Sequence, residues 1–283
     1  MAKLLKGIGV VRAMSAGLKS EAERLKGKGI RPCLCVMRAG SREDDIAYEN
    51  GILKRCGDFG IEVRSVVLDE NAATSDVVAE IEKANVNSGI HGVLIMRPMP
   101  RQIDDGAVCA ALDPQKDMDG ITETSMARLY AGHDDAFTPC TAQACIELLD
   151  YYGIEISGMN ITVIGRSLVI GRPVSLMLIK RNATVTVCHT KTADLHGECR
   201  RADIVIAAAG VAGMIDADYI TDGQTVIDVG INVDAEGNLC GDVDFGSAET
   251  KAGAITPVPG GVGTVTSAVL AKHVILAASR TEK

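Results

Sequence analysis

Short β-branched runs alternate along this chain with longer stretches of helical periodicity, and that alternation constrains the fold more than any other feature. Parallel strands need long crossovers, and helices supply them, so the pattern predicts parallel sheets covered by helices. In the first half, strands are expected at Ile30–Met37, Ile61–Leu68 and Gly92–Met96, with helices near 42–58, 74–88 and 102–113. In the second half, strands are expected at Asn160–Ile164, Ala183–His189, Asp203–Ala208 and Thr225–Val229, with helices near 141–152 and 171–181. A proline in FTPCT (137–141) marks the seam, where Thr141 reads as a helix N-cap. The last apolar helix, Val262–Ser279, can return to the first unit. The sequence thus predicts an α/β protein of two domains, 1–140 plus 262–283 and 141–261.

The chain's 283 residues suffice for two ordinary domains, each with a core of its own. A net charge of −8 argues against a broad nucleic-acid or anionic-membrane surface and points to a small-molecule partner. No run approaches the ~20 apolar residues of a membrane span, and MAKLLKGIGV is too short and interrupted for a signal peptide. Nine cysteines form an odd set without repeated spacing, so they read as buried reduced thiols of a cytoplasmic protein, with no metal site. Cys33 and Cys35 are taken to project from opposite faces of their strand.

NITVIGRSLVIGRP (160–173) runs from a strand through a glycine turn into a helix, the arrangement that presents backbone N–H groups to a phosphate. Its spacing places Gly165 and Gly171 six residues apart, unlike the G-x-G-x-x-G fingerprint, so the turn alone is equally a plain tight turn. The next strand ends in VTVCHTKT, with Thr190 and Lys191 where an NAD site places a carboxylate. With Arg166 after the first glycine, these groups suit a 2′-phosphate and favour NADP.

GRSLVIGRP, CHTKT, DVGIN (228–232), GDVDF (241–245) and TPVPGGVG (256–263), with KDMDGIT (116–122) and FTPCT earlier, closely resemble the methylenetetrahydrofolate dehydrogenase/cyclohydrolase family. The resemblance implies an N-terminal α/β folate-binding domain, a C-terminal Rossmann-like doubly wound dinucleotide domain, a cleft between them and a homodimer. It implies oxidation of 5,10-methylene-tetrahydrofolate to the 5,10-methenyl form, and commonly hydrolysis of that product to 10-formyl-tetrahydrofolate. By the same resemblance, Asp119 grips the pterin edge and Tyr48 packs on the folate. Gly165, Arg166 and Ser167 form the cofactor phosphate turn, and Thr190 lies near the adenosine ribose. Gly210, Ile231 and Thr256 line the nicotinamide side, and Pro257, Gly260 and Gly261 shape a loop beside the folate.

Two departures stand out. The family pattern Tyr-x3-Lys ends here at Ile52, in DDIAYENGILKRC (44–56), and the glutamine that contacts that lysine is replaced by Met96 in IMRPMP. Lys54 is no substitute, since six residues turn a helix by about 240° from Tyr48. Arg55 shares the Tyr48 face two turns on, and Arg97 should point away from the Met96 side. Concerted loss of both polar partners predicts a surviving dehydrogenase with weak, absent or rerouted cyclohydrolase activity. The competing readings are a fully bifunctional enzyme, a non-enzymatic folate or nucleotide binder, and another Rossmann oxidoreductase acting on a small polar metabolite.

Overall fold

The computed structural model describes residues 2–282, so the two terminal residues of the expected division lie outside it. The chain opens with β1 (Lys3–Leu4), α1 (Gly7–Gly27), β2 (Cys33–Ala39), α2 (Glu43–Asp58), β3 (Glu62–Leu68), α3 (Thr74–Val86), β4 (Gly92–Ile95), α4 (Asp105–Ala111) and α5 (Glu123–Tyr130). It continues with α6 (Cys140–Tyr151), β5 (Asn160–Ile164), α7 (Gly171–Lys180), β6 (Thr184–Cys188), α8 (Leu195–Arg200), β7 (Ile204–Ala207) and β8 (Thr225–Asp228). Then come β9 (Asn232–Val233), β10 (Leu239–Cys240), α9 (Phe245–Ala248), β11 (Ala254–Ile255) and α10 (Val262–Ser279).

Two compact units result: Ala13–Cys140 with Ser267–Lys283, and Thr141–Thr266 with Met1–Arg12. The first holds a parallel sheet of order β3-β2-β4. β2 begins at Cys33 rather than Ile30, directly after Pro32, which has no N–H to give a ladder. Cys33 and Cys35 share one face, a correction that follows from the two-residue period of a strand, and both pack in a cluster with Met37, Val77 and Ile81. The helix expected at 102–113 shrinks to α4, because Asp104 caps it at one end and Leu112 is extended at the other. On α2, Glu43, Asp44 and Asp45 occupy the first turn, where the helix dipole favours carboxylates, while Glu49, Ile52 and Cys56 face inward.

The second unit is built on a wholly parallel sheet of order β1-β11-β8-β7-β5-β6, with β9 and β10 as a separate antiparallel pair. Residues 1–12, assigned by sequence to the first unit, instead contribute β1 here, paired with β11. The strand order reverses at β5, which has β6 on one side and β7 on the other, so the binding crevice is expected outside its carboxyl end. Thr141 is not an N-cap, since α6 starts at Cys140. By length and composition α10 could cross a membrane, yet Val265, Ala268, Val269, Ala271 and Val274 are fully buried, as in a core helix.

Candidate active site

In the first unit the sequence-predicted ligand contacts cluster around the KDMDG turn. Asp117 is fully buried and structural: its carboxylate accepts from the N–H groups of Ile121 (3.0 Å) and Thr122 (2.8 Å), which pins the turn. Asp119 accepts from the Cys140 N–H at 2.8 Å. Burial raises the Asp119 carboxyl above its ordinary range and the Asp117 charge adds to this, while the Cys140 hydrogen bonds and Arg97 act against it. Tyr48 is 46% exposed on α2, so its ring is available to a ligand. Its phenol is raised by desolvation, then by Cys140 and Asp119, so the three groups form one electrostatic neighbourhood. Sequence reasoning missed Cys140, although FTPCT carried it. Its thiol donates to the Met118 carbonyl at 3.3 Å, and His273 Nδ1 lies 2.9 Å from the same oxygen.

The positions of the departed polar pair are apolar interior. Ile52 is 1% exposed and Met96 6%. The two arginines named from the sequence have partners: Arg55 Nε donates to Ser267 Oγ at 3.2 Å, and Arg97 forks onto the Asp105 carboxylate of α4. Lys54 is exposed. The inner face of α2 instead carries a buried ion pair, Arg38 Nε to Glu49 at 2.6 Å, with Arg38 also bonded to the Gly40 carbonyl.

In the second unit, Gly165 leaves β5 at φ 122°, where an L side chain is strained, and a Cβ there would collide with the Ala208 carbonyl. Gly171 opens α7 so close to the Gly165 carbonyl that it too excludes a Cβ. Ser167 Oγ accepts from the Ile170 N–H at 3.1 Å, and no side chain caps α7. The result is a close-packed backbone turn with Arg166 and Ser167 exposed, which fits an incoming phosphate. Thr190 and Lys191 are exposed in the tight turn after β6, closed by His189 N–H to Thr192 Oγ1 (2.9 Å) and Lys191 N–H to His189 Nδ1 (3.1 Å). These cations and hydroxyls fit a phosphorylated ribose better than a bare diol.

A cavity of about 250 Å³ is lined by Asp228, Ile231, Pro257, Gly260, Gly261 and Thr264, among others. It brings Pro257, Gly260 and Gly261 together with Ile231, whose apolar side chain is 70% exposed. Gly210, at φ 68°, donates its N–H to Asp242. Thr256 is fully buried, and its hydroxyl accepts from the Asp228 N–H at 2.7 Å, so this side chain braces the strand end instead of facing a ligand. Among the described residues no group of three or more His, Cys, Asp or Glu could hold a metal ion.

The catalytic-domain pattern of the tetrahydrofolate dehydrogenase/cyclohydrolase family matches residues 5–119, and that family's NAD(P)-binding domain matches residues 139–282. The bifunctional protein FolD of Alkaliphilus oremlandii (strain OhILAs) is 45% identical over 277 residues, covering 98% of this chain and 97% of that protein. Among solved structures, the bifunctional FolD methylenetetrahydrofolate dehydrogenase/cyclohydrolase of Campylobacter jejuni superposes with a TM-score of 0.97 at 35% identity, covering 100% of both chains. The Trypanosoma brucei dehydrogenase-cyclohydrolase, complexed with NADP cofactor and inhibitor, superposes at 0.93 with 34% identity, over 99% of this chain and 98% of that one.

Proposed function

Since the chain belongs to the tetrahydrofolate dehydrogenase/cyclohydrolase family, we propose that it oxidises 5,10-methylene-tetrahydrofolate to 5,10-methenyl-tetrahydrofolate with NADP, and that its cyclohydrolase step is attenuated. The observation that carries the second part is the apolar pair Ile52 and Met96, both buried, where that step needs a polar group. NADP supplies the hydride acceptor when bound. Hydride loss from the methylene carbon leaves a cation shared by two nitrogens, so no base must take a proton from carbon, and positioning does most of the work. Asp119 can accept a pair of N–H bonds from the pterin edge, and Tyr48 lays an aromatic face on the folate. Opening the methenyl ring instead requires water to add to that carbon, its proton to leave the oxygen, and the ring nitrogen to be protonated as its bond to carbon breaks, steps that neither an isoleucine nor a thioether can assist.

Arg166 and Lys191 support NADP over NAD, by offering charge to a 2′-phosphate where no carboxylate repels it. Initial rates with NADP and NAD at equal concentration test this; equal or reversed rates overturn it. Replacing Asp119 by Ala removes two charge-assisted hydrogen bonds, each worth about 1.5–3 kcal/mol, and kcat/KM for the folate should fall about 100- to 10,000-fold.

The second reading, a fully bifunctional enzyme, is favoured by relatives named bifunctional at 45% identity. Absorbance decay of methenyl-tetrahydrofolate, with and without protein, separates the two. Hydrolysis at the buffer rate supports the attenuated form, and a rate rivalling the dehydrogenase turnover supports the bifunctional one. The assembly proposed is a homodimer, supported by the open edge of β3, and the compartment a reducing cytoplasm, supported by nine free thiols.

A further inference from the structure

Asp228 of DVGIN and Asp242 of GDVDF are buried to 3% and 0% exposure. Asp242 accepts four hydrogen bonds. One oxygen takes the N–H groups of Ala209 (2.6 Å) and Gly210 (2.9 Å); the other takes the Val211 N–H (3.0 Å) and the Asn232 side-chain amide (2.9 Å). Asp228 lies beneath it and accepts from the N–H groups of Gly230, Asp242 and Val243, each at 3.0 Å. The Asp228 N–H in turn meets the Thr256 hydroxyl. Gly230 and Gly241 have no room for a Cβ, because these carboxylates occupy it. Two carboxylates therefore tie the loops that follow β7 and β8 and the end of β11, three neighbours of one parallel sheet, to the segment after β10 of the separate antiparallel pair.

We infer that Asp242 is a positioning residue for the cofactor's nicotinamide end: it sets the Gly210 and Ile231 loops that face the reacting ring, while the phosphate turn at Gly165 holds the other end. This rests on the proposed dehydrogenase reading. A buried carboxylate with every acceptor site filled by loop N–H donors fixes those loops in one arrangement. An amide cannot, because its NH2 group would face donors on one side. Hydride transfer is sensitive to placement of the acceptor on the scale of an ångström, so loosening these loops should reach kcat before it reaches affinity.

The test is Asp242→Asn, with steady-state kinetics and direct titration of both NADP and its adenine half, adenosine 2′,5′-bisphosphate. The expected result is a kcat lowered about 10- to 100-fold, with affinity for the adenine half unchanged within about twofold. Asn232→Ala, which removes one of the four donors, should lower kcat about 3- to 10-fold and keeps the test alive should Asp242→Asn fail to fold. A general structural role would weaken the adenine half in parallel with turnover. That outcome, or kcat within twofold of wild type in both variants, overturns the inference. Failure of the underlying reading looks different, because wild-type protein itself would then show no NADP-dependent turnover.

Discussion

Ile52 lies at 1% exposure on the inner face of α2, so what replaces it must either be apolar or bring a partner. A lone Ile52→Lys would bury an unpaired ammonium, and we expect a loss of roughly 3 kcal/mol or more in urea unfolding without cyclohydrolase activity. Adding Met96→Gln supplies a carbonyl acceptor. The double variant should recover about 1 kcal/mol and gain measurable methenyl hydrolysis, giving a coupling between the sites of about 0.5–3 kcal/mol. Additive losses and no gained hydrolysis would contradict the view that these two positions decide the second activity. Asp228 offers a pH-dependent test. Burial is the leading influence on its carboxyl and lifts it from 3.8 to about 6, despite three backbone N–H donors. A raised folded-state value means that the folded protein holds the proton more tightly. The stability it contributes is full below the unfolded value and is lost as pH rises through about 6. Asn does not titrate, so the stability of wild type minus that of Asp228→Asn should fall by about 2 kcal/mol between pH 4 and 7. A flat difference in urea unfolding across that range would remove the titration from Asp228.

The elements that could be read from the chain were those whose signal is local. β5 to β8 and α7 appear where β-branched runs and a glycine turn announce them, and α10 matches its expected span from Val262 to Ser279. α1 went unread because Gly7, Gly9 and Gly17 disguise a helix, and the reason for two of them is tertiary: a Cβ at Gly7 would strike Gly261, and one at Gly9 the Tyr151 ring. β1 and β11 have two residues each and exist only through each other and β8. The site divided the same way. Tyr48, Asp119 and the Gly165 turn were legible as motifs, whereas the roles of Cys140, Asp228 and Asp242 depend on N–H groups brought from distant segments. Glycines separate these two kinds of signal experimentally. Gly165→Ala forces a side chain onto positive φ and into the Ala208 carbonyl, and should cost about 2–4 kcal/mol and abolish NADP binding measured by titration. Gly17→Ala meets open space on α1 and should be neutral or stabilising by up to about 1 kcal/mol. Equal effects of the two would mean that the turn geometry at Gly165 is not what holds the cofactor phosphate.

At the scale of the whole molecule, two features oppose one another. β3 is an edge strand of seven residues that pairs with β2, and Val67 on it is 55% exposed, an invitation to a second strand. The groove beside it is lined by Val66, Val67 and Ala72 together with Asp69, Asp76 and Glu80, and each chain carries a net charge of −8. Two copies meeting along this edge would gain strand pairing and apolar burial but would bring like charges together. Screening shortens the reach of that repulsion from about 30 Å at 0.01 M salt to about 8 Å at 0.15 M, so association should tighten as salt rises. Light scattering on dilute protein should therefore show twice the mass of one chain at physiological salt and a shift toward single chains at low salt. Val67→Glu adds a charge on the edge strand beside Asp69, Asp76 and Glu80, and should produce single chains at both salt concentrations with far-UV circular dichroism unchanged. A dimer indifferent to this substitution would place the interface on another surface, and single chains at every salt and protein concentration would remove the dimer itself.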